Sequence, residues 1–127
     1  MKAILIVSQG SRSLKAKEEI ECLIHLLKQK SVVPIFHYAF LKIETPTILE
    51  GIDQCVKDGA TEIVVFLNLF NSGKHVDADI PKIVYQGQLK YPSIKFQITR
   101  PVGQHKQIAD LFISMFNYSI LHFLLCV

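Results

Sequence analysis

The stretch Ala3-Ile4-Leu5-Ile6-Val7-Ser8-Gln9-Gly10-Ser11-Arg12 decides the fold. Its five consecutive aliphatic residues leave no polar face, the pattern of a strand covered on both sides, as in a parallel sheet. Ser8 and Gln9 end the run and Gly10 turns the chain. Residues 12–30 then place Ala16, Ile20, Leu23, Ile24 and Leu27 at helical spacing, with Lys and Glu around the rest. The aliphatic run is shorter than the ~7–15 residues of a secretion signal's core, so it reads as a strand. A strand feeding an amphipathic helix is the opening half of a βαβ unit.

The alternation repeats along the chain. Residues 34–41 are aromatic-rich and extended. Thr45-Pro46 looks like a cap followed by a proline at the first helical position, and Ile48, Ile52, Cys55 and Val56 continue that helix as far as Gly59. Residues 62–67 hold a second buried run, Ile63-Val64-Val65-Phe66. A polar loop, 68–78, leads into Asp79-Ile80-Pro81, a helix-start signature that ends at Tyr91-Pro92. Residues 94–99 alternate Ile94, Phe96 and Ile98 with polar neighbours, which predicts a half-exposed edge strand, and a last helix is expected from about Gln104. The pattern β-α-β-α-β-α-β-α predicts an α/β fold, a four-stranded parallel sheet with helices on both faces and right-handed crossovers. The two most aliphatic strands, first and third, belong in the centre, giving the order 2-1-3-4.

With 127 residues, half of them hydrophobic and 20% charged, the chain can bury a core and is expected to form a single domain, 1–127. A formal charge of +3 without a basic run or interleaved aromatics excludes a nucleic-acid partner while suiting an anionic small molecule. Three cysteines, odd in number, far apart and without a C-x-x-C, argue against a disulfide framework or structural zinc, and fit the cytoplasm. Residues 111–127 carry no formal charge, yet fall short of the ~20 apolar residues of a membrane span. They are expected to form a helix that covers the sheet and leaves surplus apolar surface for self-association.

In an open parallel sheet, ligands bind beyond the carboxyl ends of the strands where successive crossovers diverge, here between strands 1 and 3. Two loops meet there. The first, Ser8-Gln9-Gly10-Ser11-Arg12, offers a hydroxyl, a guanidinium and free backbone N–H groups at a helix start, suited to an anion. The second holds His75 among Lys74, Asp77 and Asp79. An imidazole in such a loop can take a proton near neutral pH or hold a borderline metal ion, which makes His75 the first candidate for chemistry. Asp79 reads chiefly as a helix cap. No Walker loop, nucleophile elbow or dinucleotide fingerprint is present.

The segments Leu5-Ile6-Val7-Ser8-Gln9-Gly10-Ser11-Arg12, Phe40-Leu41-Lys42 with Thr45-Pro46-Thr47-Ile48, Asp58-Gly59-Ala60, Gly73-Lys74-His75-Val76 leading to Asp79-Ile80-Pro81, and Pro101-Val102-Gly103 resemble the class II chelatases in order and spacing. The likeness runs from Met1 to about Phe116 and is strongest to the sirohydrochlorin chelatases. It implies insertion of cobalt or ferrous iron, as a substrate, into an anionic tetrapyrrole for cobalamin or sirohaem synthesis, with no tightly bound cofactor. It further implies a homodimer. By the same resemblance His75 is the metal ligand and catalytic base. Gln9, Gly10, Ser11, Arg12 and Lys74 contact the substrate, the last three at its carboxylates.

Two positions depart from the family pattern. Gln9 stands where its first active-site histidine falls, and Lys42 where a glutamate falls. A glutamine amide accepts no proton at neutral pH and is a poor ligand for cobalt or iron. Protonated Lys42 repels a divalent ion but attracts ring carboxylates. Glu44, two residues on, is a candidate substitute for the missing carboxylate, and His105 is a candidate pocket residue. These substitutions keep a second reading open, a non-catalytic tetrapyrrole- or metal-binding relative.

Overall fold

The aliphatic run at the N-terminus becomes the centre of a four-stranded parallel sheet. The computed structural model describes residues 1–117, with His75 described by its backbone alone. Strands β1 (Lys2–Ser8), β2 (Ile35–Phe40), β3 (Glu62–Leu67) and β4 (Lys95–Ile98) lie in the order β2-β1-β3-β4, as the alternation of the sequence predicts. Between and after them come α1 (Leu14–Lys30), α2 (Ile48–Lys57), α3 (Ile80–Lys90) and α4 (Ile108–Phe116). The register sets Ser8 opposite Phe40 and Val7 opposite Leu67, so the carboxyl ends of β1, β2 and β3 finish level.

The two-residue period of a strand sorts the central side chains onto two faces. Leu5, Val7, Ile63 and Val65 pack with Ile48, Ile52 and Cys55 of α2 and Ile80 and Val84 of α3. Ile6, Phe36 and Phe40 pack on the opposite face against Ile20 and Ile24 of α1. Helix α1 therefore leaves β1 toward one face and α3 leaves β3 toward the other. This divergence is what opens a crevice between the two central strands. The edge strand β4 is half exposed, as expected, with Ile98 39% accessible.

Four local expectations are corrected. Helix α1 begins at Leu14, because Ser13 is the cap and its Oγ accepts from the Lys15 N–H, which leaves Ser11 and Arg12 ahead of the helix. Helix α2 is capped by Thr47 rather than Thr45. The Pro46 carbonyl accepts from the Phe40 N–H at 2.8 Å, so that proline extends the contact with β2, and Thr47 and Glu50 form a reciprocal capping box. The Thr45-Pro46 peptide is cis. Asp79 makes no side-chain cap, because a π-helical turn, His75–Asp79, already holds it at helical angles (φ −70°, ψ −45°). The last helix starts at Ile108, not near Gln104, because Val102–Gln104 form a 3₁₀ turn and His105 is extended.

The apolar C-terminal segment also differs from expectation. No residue of α4 is buried, and Leu111, Ile113, Met115 and Phe116 are all exposed. Its described part therefore presents apolar surface instead of covering the sheet. The remainder, 118–127 with His122 and Cys126, lies outside the described residues. Among the described residues no helix is long and apolar enough to cross a membrane.

Candidate active site

The crevice is built by hydrogen bonds that carry the central ladder past the strand ends. On one side the Leu41 N–H donates to the Ser8 carbonyl at 2.9 Å and the Lys42 N–H to the Gln9 carbonyl at 3.1 Å. On the other side the Asn68 N–H donates to the Val7 carbonyl at 2.8 Å, and Asn68 Nδ2 donates to Ser8 Oγ at 3.1 Å. Gly10 then turns the chain at φ +101°, a conformation that L side chains rarely adopt. A methyl group there would collide with the Lys42 carbonyl, so glycine is required both by the turn and by the close approach of the neighbouring loop. At the far edge the Leu67 N–H donates to Thr99 Oγ1 at 3.0 Å, which ties β3 to the segment after β4.

Two hollows open above this floor. One, of about 410 Å³, is lined by Gln9, Gly10, Ser11, Glu19, Phe40 and Asn68 among others. The second, of about 400 Å³, is lined by Gln9, Asn68, Leu69, Phe70, Ser72 and Val76 among others. Gln9 and Asn68 belong to both, so they stand at the divide over the ends of β1 and β3. The second wall is further braced because Gln104 Nε2 donates to Ser72 Oγ while Gln104 Oε1 accepts from Arg100 Nε at 3.1 Å.

Of the residues singled out in the sequence, Gln9, Gly10 and Ser11 line the first hollow. Ser11 Oγ accepts from the Ser13 N–H at 3.1 Å. Arg12 and Lys74 are exposed and line neither hollow; in sequence Arg12 follows Ser11, of the first hollow's wall, and Lys74 follows Gly73, of the second's. The backbone of His75 opens the π-helical turn directly after Gly73, a residue of the second hollow's wall. Glu44 and His105 line neither hollow. Glu44 Oε2 is buried without a hydrogen-bond partner, and the Tyr38 hydroxyl is held above its usual range by burial and by the charges of Glu21 and Glu44. His105 is exposed, and its Nδ1 accepts from the Gln107 N–H at 3.0 Å. His37 bonds Asp58 Oδ2 through Nε2 at 2.6 Å and lines neither hollow.

Sequence reasoning missed Asn68 and Phe70. Asn68 is the first residue after β3, at the point where the sheet's topology directs a ligand, and position alone could have flagged it. Phe70 is a large aromatic residue inside a polar loop, Asn68-Leu69-Phe70-Asn71-Ser72, and is 52% exposed. Chemically the described lining supplies amides, hydroxyls, aliphatic surface and one carboxylate, Glu19. Among the described residues no group of three or more His, Cys, Asp or Glu side chains is placed to hold a metal ion.

Fold and crevice together define a doubly wound α/β protein with a crevice at the topological switch point of its parallel sheet. The chain belongs to the CbiX family, whose family model matches residues 3–117. It is 35% identical over 107 residues to the sirohydrochlorin ferrochelatase of Bacillus subtilis (strain 168), an alignment covering 84% of this chain and 41% of that enzyme. Its structure is similar to the sirohydrochlorin chelatase SirB from Bacillus subtilis subspecies spizizenii in complex with cobalt. The TM-score is 0.80 at 32% identity, covering 91% of this chain and 50% of that one. A CbiX protein from Marinobacter aquaeolei VT8 shares the fold with a TM-score of 0.75 at 14% identity, covering 91% of this chain and 94% of that one. The chain spans about half the length of the first curated relatives it matches.

Proposed function

We propose that this chain inserts cobalt or ferrous iron into a sirohydrochlorin-like tetrapyrrole. The observation that carries the reading is the pair of hollows over β1 and β3 that share Gln9 and Asn68 and end beside the His75 turn. Membership of the CbiX family and the names of the relatives above support the same reaction. No tightly bound cofactor is required, because the metal ion is a substrate.

Insertion exchanges one divalent ion for the two protons on the ring's pyrrole nitrogens. The ion must shed ligands while the nitrogens shed protons. His75 holds the arriving ion through a ring nitrogen and yields it as the pyrrole nitrogens bind. The freed imidazole then accepts one proton and water takes the other. The Gln9 amide cannot share that work, so its part is to hydrogen-bond the substrate. Ser11, Arg12 and Lys74 meet the ring carboxylates, the two cations by charge-assisted bonds.

Residues 1–127 act as one domain in a homodimer in the cytoplasm. The exposed apolar side chains of α4 support self-association. Light scattering on the purified protein measures that state directly, and a monomer at all concentrations overturns it.

Purified protein mixed with sirohydrochlorin and Co²⁺ or Fe²⁺ under anaerobic conditions should shift the ring's absorbance spectrum faster than the uncatalysed control. His75→Ala should abolish the gain. An unaltered rate in that variant removes His75 from the mechanism. Ring binding without insertion, by the unmodified chain, replaces the enzymatic reading with that of a tetrapyrrole-binding relative.

A further inference from the structure

Phe70 stands out as a large aromatic side chain lining a functional hollow while 52% exposed. Leaving a benzyl group in water forgoes the stabilisation its burial would bring. The surrounding structure nevertheless fixes its place. The ring of Phe112, on α4, stacks on it with centroids 5.9 Å apart and planes 19° from parallel. From the third side Gly103 presses against it. A methyl group on Gly103 would sit 2.8 Å from the Phe70 carbonyl carbon and 2.9 Å from its Cγ, so only glycine leaves room for the residue where it is. The same 3₁₀ turn reaches the crevice wall through Gln104 and Ser72. An exposed aromatic group held from two sides, beside amides and hydroxyls, suits a flat conjugated ligand with polar edges.

We infer that Phe70, steadied by Phe112 and Gly103, is the surface on which the flat face of the tetrapyrrole stacks. The inference rests on the chelatase reading above and adds the residue that orients the ring. Its chemistry is contact between two π faces, which supplies affinity and alignment without taking part in proton or metal transfer.

The test measures binding of metal-free sirohydrochlorin by fluorescence, with steady-state insertion kinetics run alongside. Phe70→Ala should weaken binding roughly five- to hundredfold, the range that loss of an aromatic stacking partner gives for nucleobases. Phe70→Leu keeps the apolar bulk and should still lose about two- to tenfold, while Phe70→Tyr should bind as the unmodified chain does. Gly103→Ala, which changes no group in the hollow but displaces Phe70, should reproduce the Phe70→Ala loss. In the kinetics KM should rise with kcat nearly constant. Thermal unfolding of each variant identifies any that fails to fold, and Phe70→Leu and Phe70→Tyr, the gentlest pair, decide the matter then. If the unmodified chain binds no ring, the chelatase reading falls and the stacking surface with it. If it binds and Phe70→Leu binds equally well, the stacking surface alone is overturned. A change of oligomeric state at constant ring affinity also overturns it, and makes Phe70 part of a contact between copies.

Discussion

Asn68 donates from Nδ2 to the hydroxyl of Ser8 across 3.1 Å, which joins the ends of the two central strands directly beneath the crevice. Both residues line the first hollow, and Asn68 lines the second as well. Removing this bond while keeping the backbone should therefore affect binding more than folding. Asn68→Ala should cost about 0.5–1.5 kcal/mol of stability, the usual net value of one intramolecular hydrogen bond. Asn68→Asp sets a carboxylate where an anionic ring is expected. Its affinity for sirohydrochlorin should fall further than that of Asn68→Ala, and added salt should narrow the difference as the repulsion is screened. Fluorescence titrations at two ionic strengths measure both effects. Equal affinities for the two variants at low salt count against an anionic ligand at this position.

Gly10 makes the opposite case, where folding itself should suffer. The residue sits at φ +101°, and a methyl group there would meet the Lys42 carbonyl far inside contact distance. Gly10→Ala combines backbone strain of roughly 1–3 kcal/mol with displacement of the adjoining loop. A drop of several degrees in Tm is expected, with loss of ring binding even in the fraction that remains folded. Differential scanning calorimetry with a binding titration below Tm separates the two. A variant with unchanged Tm and affinity contradicts the local geometry.

The architecture was legible because it rests on side-chain periodicity. The doubly aliphatic runs at Ile4–Val7 and Ile63–Phe66 can only be central, and the alternating Ile94, Phe96 and Ile98 can only be an edge, so the strand order followed. The crevice followed from that order, and with it Gln9, Gly10 and Ser11. Helix boundaries were less legible because several residue types there can cap. Thr45 and Thr47 both carry the right hydroxyl, and the choice fell to Glu50, three residues after Thr47, and to a Pro46 carbonyl claimed by Phe40. Asn68 and Phe70 were not legible as site residues. Nothing in an asparagine or a phenylalanine names a role, and only the contacts with Ser8, Gly103 and Phe112 supply one.

The Gln9 substitution gives an expectation of the opposite sign to most mutations. Gln9 stands on the divide between the two hollows, where an imidazole could accept a pyrrole proton that glutamine cannot. Gln9→His should therefore raise kcat for metal insertion. The acid limb that His75 already gives the unmodified chain should steepen in this variant as pH drops through about 6.5, because a second histidine then charges and loses its capacity as a base. Initial rates from pH 5 to pH 8 on both proteins test this. Identical profiles exclude position 9 from proton transfer.

A last expectation concerns the far side of the molecule, where α2 meets α3. Asp53 Oδ1 accepts from the Tyr91 hydroxyl at 2.5 Å and from Lys90 Nζ at 3.0 Å. The Tyr91 hydrogen bond, with Lys90 second, holds the Asp53 carboxyl below its ordinary range, while the bond to Asp53 holds the Tyr91 hydroxyl above its own. A carboxylate with a lowered folded value stabilises the protein above its unfolded pKa, about 3.9, and that contribution is lost as pH falls through the folded value. A tyrosine with a raised folded value stabilises it below about 10, and the contribution is lost as pH rises through the folded value. Because these groups are largely exposed, the effect is small and screened. Tyr91→Phe should lower the urea midpoint slightly at pH 7, and the gap from the unmodified chain should close both in strong acid and well above pH 10. A gap that stays constant across that range assigns the loss to packing of the ring instead of the shared proton donor.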